Sequence, residues 1–389
     1  MVSPPAGFAI VTSLLFVGIA TLANAREQAG FAGRQHVYIG TYTGPKSQGI
    51  YRAELDLASG KLSEPQLAAE ATNPSFLNIH PNHRFLYAVS REGDKQGGVL
   101  AFAIEPRTGK LTQLGKQAAC GLAPCHLVVD RSGKCVLTAS YGGGTVSALP
   151  IHSDGSLGDA ATTIEHKDAA GAAAPRASHA HSIFLDADNR IAVAADLGLD
   201  ELRLYDVVPE EAKLTPHDPP LVTVKQGSGP RHFTFAPSGK FAYSNMERSS
   251  TVIGFSYDPE RGVLAELQSL STLPADFKGS NSTAEIQVHP SGKFLYVSNR
   301  GHNSIAVFTV DVATGRLTAA GQQSSEGKTP RNFCIDPTGR FLLAANQESN
   351  NIVVFGINPE TGKLTPNGSS VEVSAPVCIK FVPIPNHAR

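Results

Sequence analysis

STAEIQVHPSGKFLYVSN, residues 282–299, is the stretch from which the architecture can be read. A small polar opening leads into an alternating apolar strand, and a Pro-Ser-Gly-Lys turn reverses the chain into a second strand of apolar and aromatic residues. The phrase returns at Asn73 (NPSFLNIHPNHRFLYAVS), Ala123 (APCHLVVDRSGKCVLTAS), Ser178 (SHAHSIFLDADNRIAVAAD), Gly229 (GPRHFTFAPSGKFAYSNM) and Thr329 (TPRNFCIDPTGRFLLAAN), with a truncated seventh copy at Ala375 (APVCIKFVP). A period of about fifty residues is the signature of a repeat architecture, in which each unit buries its apolar faces against its neighbours.

A second phrase of the type D-P-x-T-G-K-L alternates with the first, at residues 56–62, 105–111, 152–157, 208–214, 258–264, 311–317 and 358–364. Two turns per unit make four short strands, and four strands per unit is a propeller blade. The expectation is an all-β, seven-bladed β-propeller with four-stranded blades. The seventh copy stops after one strand, while the chain enters the pattern at Val37-Tyr38-Ile39 with no first strand of its own. The C-terminal strand is therefore expected to complete the N-terminal blade, which closes the ring and removes its free sheet edge. A solenoid with capped ends is the alternative, and no segment reads as a cap.

Composition points the same way. The 389 residues include 37 Gly, 26 Pro and no Trp, a balance that suits many tight turns rather than long helices. A formal net charge of -1 leaves no electrostatic footprint for nucleic acid or an anionic membrane. Near the N-terminus an apolar run from Phe8 to Leu22 ends in Ala23-Asn24-Ala25, a small-x-small cleavage pattern. This divides the chain into a signal peptide over 1–25, a short linker over 26–36, the propeller over 37–384 and a tail over 385–389. Such a protein is exported, periplasmic or extracellular, with no membrane contact after cleavage. The n-region lacks Lys and Arg, and an uncleaved anchor is the competing reading. Cys120, Cys125, Cys135, Cys334 and Cys378 are scattered and include no C-x-x-C, so neither a zinc site nor a disulfide scaffold is indicated. One bridge from Cys120 to Cys125 or Cys135 is open; buried free thiols are the other reading.

Strands of a blade run alternately up and down, so residues opening each first strand and residues closing each second strand meet at one mouth of the channel. The openers include Cys125-His126, His179-Ala180-His181, Arg231-His232, Ala284-Glu285 and Arg331-Asn332. The closers include Arg91-Glu92, Tyr141, Asp196, Glu247-Arg248, Asn299-Arg300 and Gln347-Glu348. Charge gathered near a ring axis is costly unless it is solvated or used, and Arg together with His and Glu points to a ligand site. Arg231, Arg300 and Arg331 offer fork-shaped donors for a carboxylate, a phosphate or a developing oxyanion. His181 and Glu247 are the candidates for proton transfer, with Glu285 in reserve. A His bonded to a neighbouring strand and a Glu in a blade-to-blade salt bridge are the alternative roles. His179-x-His181 on an extended strand places both rings on one face, which leaves a metal open, although no metal and no cofactor is the expectation. There is no G-x-S-x-G, and Tyr141-Gly142-Gly143-Gly144 opens no helix, so it is neither a P-loop nor a dinucleotide fingerprint.

The phrases HAHSIFLD, GPRHFTFAPSGKFAY, VSNRGHNSIAVF and ASYGGGTVSALP resemble those of the lactonase propellers. That family includes bacterial 6-phosphogluconolactonases and is similar to the fungal carboxy-muconate cyclase. The likeness covers nearly all of the chain after residue 36. It implies opening of a sugar-type lactone at the channel mouth by a metal-independent set. Motif by motif, that set falls on His181 in HAHS, Arg231 in GPRH, Glu247 after FAYSN and Arg300 in SNRGH. Where the family usually shows an Asn-Glu pair, this chain has Asn245-Met246-Glu247. His179, Glu285, Asn299 and Arg331 are expected to bind substrate around the four, and the expected partner is a small-molecule lactone or anionic sugar derivative. Export would separate the protein from cytosolic phosphorylated sugars and favours an unphosphorylated lactone or another cyclic ester. A non-catalytic exported binding propeller and a muconate-type lactonizing enzyme are the alternatives.

Overall fold

The computed structural model describes residues 33–91, 96–168 and 176–385. The segment 1–25 expected to be a signal peptide, most of the expected linker and tail, and Glu92 lie outside the described residues. Among the described residues, twenty-eight strands, numbered in chain order, form seven four-stranded antiparallel sheets, with one short 3-10 turn at Pro209–Glu211. Six sheets use four consecutive strands each. The seventh joins the last strand, β28 (Pro376–Pro383), to β1 (Arg34–Thr41), β2 (Gly49–Asp56) and β3 (Gln66–Glu70). β28 pairs with β1 from Gln35 opposite Pro383 to Thr41 opposite Pro376, the closure that the truncated seventh repeat implies. Gln35 and His36, assigned to a linker from sequence, are buried residues of β1.

The second strand of a blade lies between neighbouring blades on both faces and is accordingly buried and mostly apolar. FLYAVS, CVLTAS and IAVAAD are buried at every position. The fourth strands are half-exposed, as in LTPNGSSVE. The core therefore lies between blades, and the repeat spacing holds them in register. A tyrosine on the second strand reaches the glycine carbonyl of the outer hairpin turn in the next blade. Tyr38 donates to Gly109 O at 2.8 Å, Tyr87 to Gly155 O at 3.0 Å, Tyr243 to Gly315 O at 2.9 Å and Tyr296 to Gly362 O at 2.8 Å. Gly315 has φ of 70°, and a Cβ there would come within 2.2 Å of the Phe241 ring, so only glycine brings its carbonyl to the tyrosine.

Of the seven inner strands, β4 (Leu77–Ile79) pairs with β5 (Phe85–Ser90) in regular register, whereas the other six share one irregularity. Their pairing slips between Pro124 and His126, Ala180 and Ser182, Pro230 and His232, Thr283 and Ile286, and Pro330 and Asn332. The closing blade slips at the matching place, between Gly40 and Thr41 opposite Cys378 and Pro376. These are β-bulges, which bend a strand and re-aim the extra residue. The residues set free are Cys125, His181, Arg231, Ala284 with Glu285, Arg331 and Val377. All five cysteines are free thiols, so the bridge from Cys120 does not form.

Each tyrosine bond joins two blades through a buried hydroxyl. Tyr243→Phe and Tyr296→Phe should each cost about 1 kcal/mol, lowering the urea midpoint at constant m-value. An unchanged midpoint would show that the bond adds nothing to blade docking.

Candidate active site

The bulges converge on one cleft. Val377, Cys125, His181, Arg231 and Arg331 occupy equivalent positions in five inner strands, Ser75 holds the same repeat position just before β4 (Leu77–Ile79), and together with Tyr42, Phe76, His232 and Asn332 they line a narrow cleft whose enclosed volume is about 20 Å³. The second strands supply the rest. Glu247 follows the last residue of β17 (Phe241–Met246), and Arg300 ends β21 (Phe294–Arg300).

Glu247 Oε2 lies 2.8 Å from Arg231 Nε and 3.0 Å from Arg300 Nη2, so a single carboxylate oxygen sits between two guanidinium groups. Arg231 Nη1 also donates to Ala284 O, and Arg300 Nη2 to Thr283 O at 2.9 Å. Burial works to raise the Glu247 carboxyl, but Arg231, Arg300 and Arg331 outweigh it and hold its pKa below the ordinary carboxylate value. Burial, with Arg300 and Arg331 nearby, pushes Arg231 down to about 9, which leaves it cationic at neutral pH. Arg331 places its guanidinium 5.3 Å from the centre of the Tyr42 ring. Three guanidiniums facing Glu247 give this mouth a surplus of positive charge suited to an anionic, oxygen-rich ligand.

His181 is buried, with its ring edge-on to Tyr141 at 5.7 Å and 5.3 Å from the ring of His232. Burial first, then Arg231, His232, Arg331 and Arg300, drives its pKa well below 6.5. The ring is therefore a neutral imidazole at pH 7. Its Nδ1 is buried without a protein partner among the described residues. Cys125 also faces the cleft, but burial pushes its thiol up to about 12, so it is neither nucleophile nor bridge.

His181, Arg231, Glu247, Arg300 and Arg331 thus come together as expected from sequence. Three expectations change. His179 precedes β12 (Ala180–Leu185), its ring stacked on Tyr141 at 4.3 Å and its Nδ1 3.0 Å from Tyr141 O. The bulge between it and Ser182 breaks the alternation, so His179 and His181 do not share a regular strand face. Among the described residues no group of three potential metal ligands is assembled. Asn299 does not face substrate: its amide donates to Thr272 O and Ser304 Oγ and accepts from Thr272 Oγ1 and Asn281 Nδ2, tying loops together. Glu285 is only 3% exposed and sits one residue further along its strand than the mouth ring, bonded to Asn332 and 3.2 Å from His232 Nδ1. Ser75, Val377 and Tyr42 were missed. Aligning the repeats on their turns puts Ser75 and Val377 level with Arg231, a signal present in sequence; Tyr42 carries none.

Glu285 generates a pH dependence. Burial raises its carboxyl to about 7, against the opposing pull of Lys380, the Ile286 N–H, Arg231 and Asn332. An unfolded chain releases that proton near 4.5. Between these values the folded state keeps a proton that the unfolded state has lost, so the residue's contribution to stability falls as pH rises, and its penalty is complete above about pH 7. The stability of Glu285→Gln relative to wild type should therefore climb between about pH 5 and pH 8, by at most about 3 kcal/mol. Urea titrations across that range measure it, and a constant difference would refute the raised carboxyl.

Residues 36–381 match the family described as Lactonase, 7-bladed beta-propeller. The 6-phosphogluconolactonase of Bacillus subtilis strain 168 is 40% identical over 345 residues, covering 89% of this chain and 97% of that protein. The 6-phosphogluconolactonase of Pectobacterium carotovorum subsp. carotovorum strain PC1 is 34% identical over 303 residues, 78% of this chain and 85% of the relative. Among solved structures, a periplasmic gluconolactonase of Pseudomonas aeruginosa superposes with a TM-score of 0.84 at 33% identity, covering 90% of this chain and 100% of that one. With seven blades closed strand to strand and a match over nearly the whole ring, the chain belongs to the lactonase family of seven-bladed β-propellers.

Proposed function

We propose that the protein hydrolyses a sugar-type lactone in the cleft at the channel mouth, and that it does so after export. The observation that carries the reading is the sharing of Glu247 Oε2 between Arg231 and Arg300, beside a neutral, buried His181. A lactone carbonyl gains negative charge on its oxygen as water attacks, and donors already held in place stabilise that charge without reorganising. Arg231 and Arg300 are those donors. His181 takes the proton of the attacking water and passes it to the ring oxygen as the C–O bond breaks, leaving the open acid. Glu247 is engaged through one oxygen by both arginines, and its part is to position them. Arg331 over Tyr42 suits an acidic or oxygen-rich substituent elsewhere on the lactone. Relatives named 6-phosphogluconolactonase and gluconolactonase support the reaction class.

The Ala23-Asn24-Ala25 pattern supports export, as does the likeness to a periplasmic gluconolactonase. Among the described residues no helix is long and apolar enough to cross a membrane. Protein recovered from outside the cytoplasm should begin at Arg26 by mass spectrometry, and an intact Met1 would overturn the cleavage.

Titrating acid release at constant pH against a panel of phosphorylated and unphosphorylated aldonolactones tests the activity. Arg231→Ala should lower kcat/KM by about a hundredfold or more with its melting curve retained. A folded wild type that binds sugar acids saturably but opens no lactone would instead establish a binding propeller.

A further inference from the structure

Arg231 and His232 are consecutive, and a regular strand would send their side chains to opposite faces. The bulge between Pro230 and His232 brings both to the channel side, where Arg231 Nη1 lies 3.2 Å from His232 Nε2. A guanidinium has donors and no acceptor, so this contact requires a lone pair on Nε2. The single proton of the neutral ring then sits on Nδ1, which is 3.2 Å from Glu285 Oε1. Glu285 is itself fixed: Oε1 accepts from Ile286 N–H at 3.0 Å, and Oε2 accepts from Asn332 Nδ2. Asn332 Oδ1 accepts in turn from Ile379 N–H at 2.9 Å.

We propose that Glu285 and His232 form a positioning relay beneath the cleft, in which Glu285 sets the His232 tautomer and His232 Nε2, as acceptor, orients Arg231. Their roles are those of a carboxylate–imidazole pair in a hydrolase, with a guanidinium in place of the nucleophile. Nη1 is held by Ala284 O and His232, and Nε lies 2.8 Å from Glu247 Oε2 without completing a hydrogen bond, so the contacts to Nη1 set the orientation of a guanidinium that lines the cleft. Around His232 stand Arg231, Arg331 and Lys380, which disfavour a second proton, Glu247, which favours one, and the rings of His126 and His181, each at 5.3 Å. Burial is the largest influence and keeps the ring neutral. A proton on Nε2 would set N–H against N–H and release Arg231.

The relay rests on the reading that Arg231 stabilises the developing oxyanion, and two measurements separate the two ideas. Nitrogen-15 NMR of the histidine-labelled full chain at about pH 8, where Glu285 is ionised, should show His232 protonated at Nδ1 and bare at Nε2. The Nε2–H tautomer would overturn the relay whatever the activity. On a lactone that wild type opens, Glu285→Gln should lower kcat about ten- to a hundredfold with KM within about twofold and an intact fold, because the oxyanion donor is misaimed while ground-state binding persists. His232→Phe should lower kcat similarly, and the double variant no further, since the two residues act in series. Wild-type kcat in folded Glu285→Gln would refute the relay. If wild type opens no lactone, the proposed function fails and the tautomer still decides the relay.

Discussion

The pairing of β28 with β1 is the constraint on which the rest depends. Seven sheets packed face to face leave two open edges unless the last strand of the chain joins the first blade. Closure does more than remove those edges. β28 brings Val377 to the cleft, seats Ile379 against Asn332 and places Lys380 over the Phe76 ring. A ring left open would lose one side of the site, so stability and site assembly share a single set of hydrogen bonds.

Concentrating arginines at the axis carries a cost. Burial alone disfavours the charged forms of Arg231 and Arg300, and each is disfavoured further by Arg331. Glu247 offsets part of this through one oxygen shared between the two. Removing one partner of a buried charge pair leaves the other uncompensated, which is why such a group holds its geometry tightly. The remaining imbalance is positive and opens onto the cleft, the electrostatic setting on which the proposed function relies. Of the readings of Glu247 from sequence, the salt bridge is present, and it lies beside the cleft where the proposed ligand would sit.

The bulge turns a repeat into a site. In a regular strand Arg231 and His232 would face apart; slipped by one residue, both reach the channel. The same slip in other blades delivers Cys125, His181, Arg231, Arg331 and Val377 to one cleft. The scaffold is repeated while the exposed chemistry differs at each copy, so function changes by substitution at a few equivalent positions without disturbing the strands.

Local chemistry was legible in the chain. Pro-Ser-Gly-Lys and Thr-Gly-Lys turns have residue requirements that act over a few positions, so counting them determined seven four-stranded blades, and the truncated last copy determined closure. The tyrosines and glycines of the repeat were visible without their pairing across blades. His181, Arg231, Glu247, Arg300 and Arg331 could be gathered at one mouth because strand polarity alone dictates which ends meet. Tertiary structure alone decided what each side chain faces. Strict alternation misplaced His179 relative to His181, put Asn299 toward a ligand when neighbouring loops consume its amide, and left Glu285 at the mouth when it lies beneath it. The physical reason is that a bulge is a property of two paired strands, and the hydrogen bonds that claim an amide or a carboxylate come from residues tens of positions away.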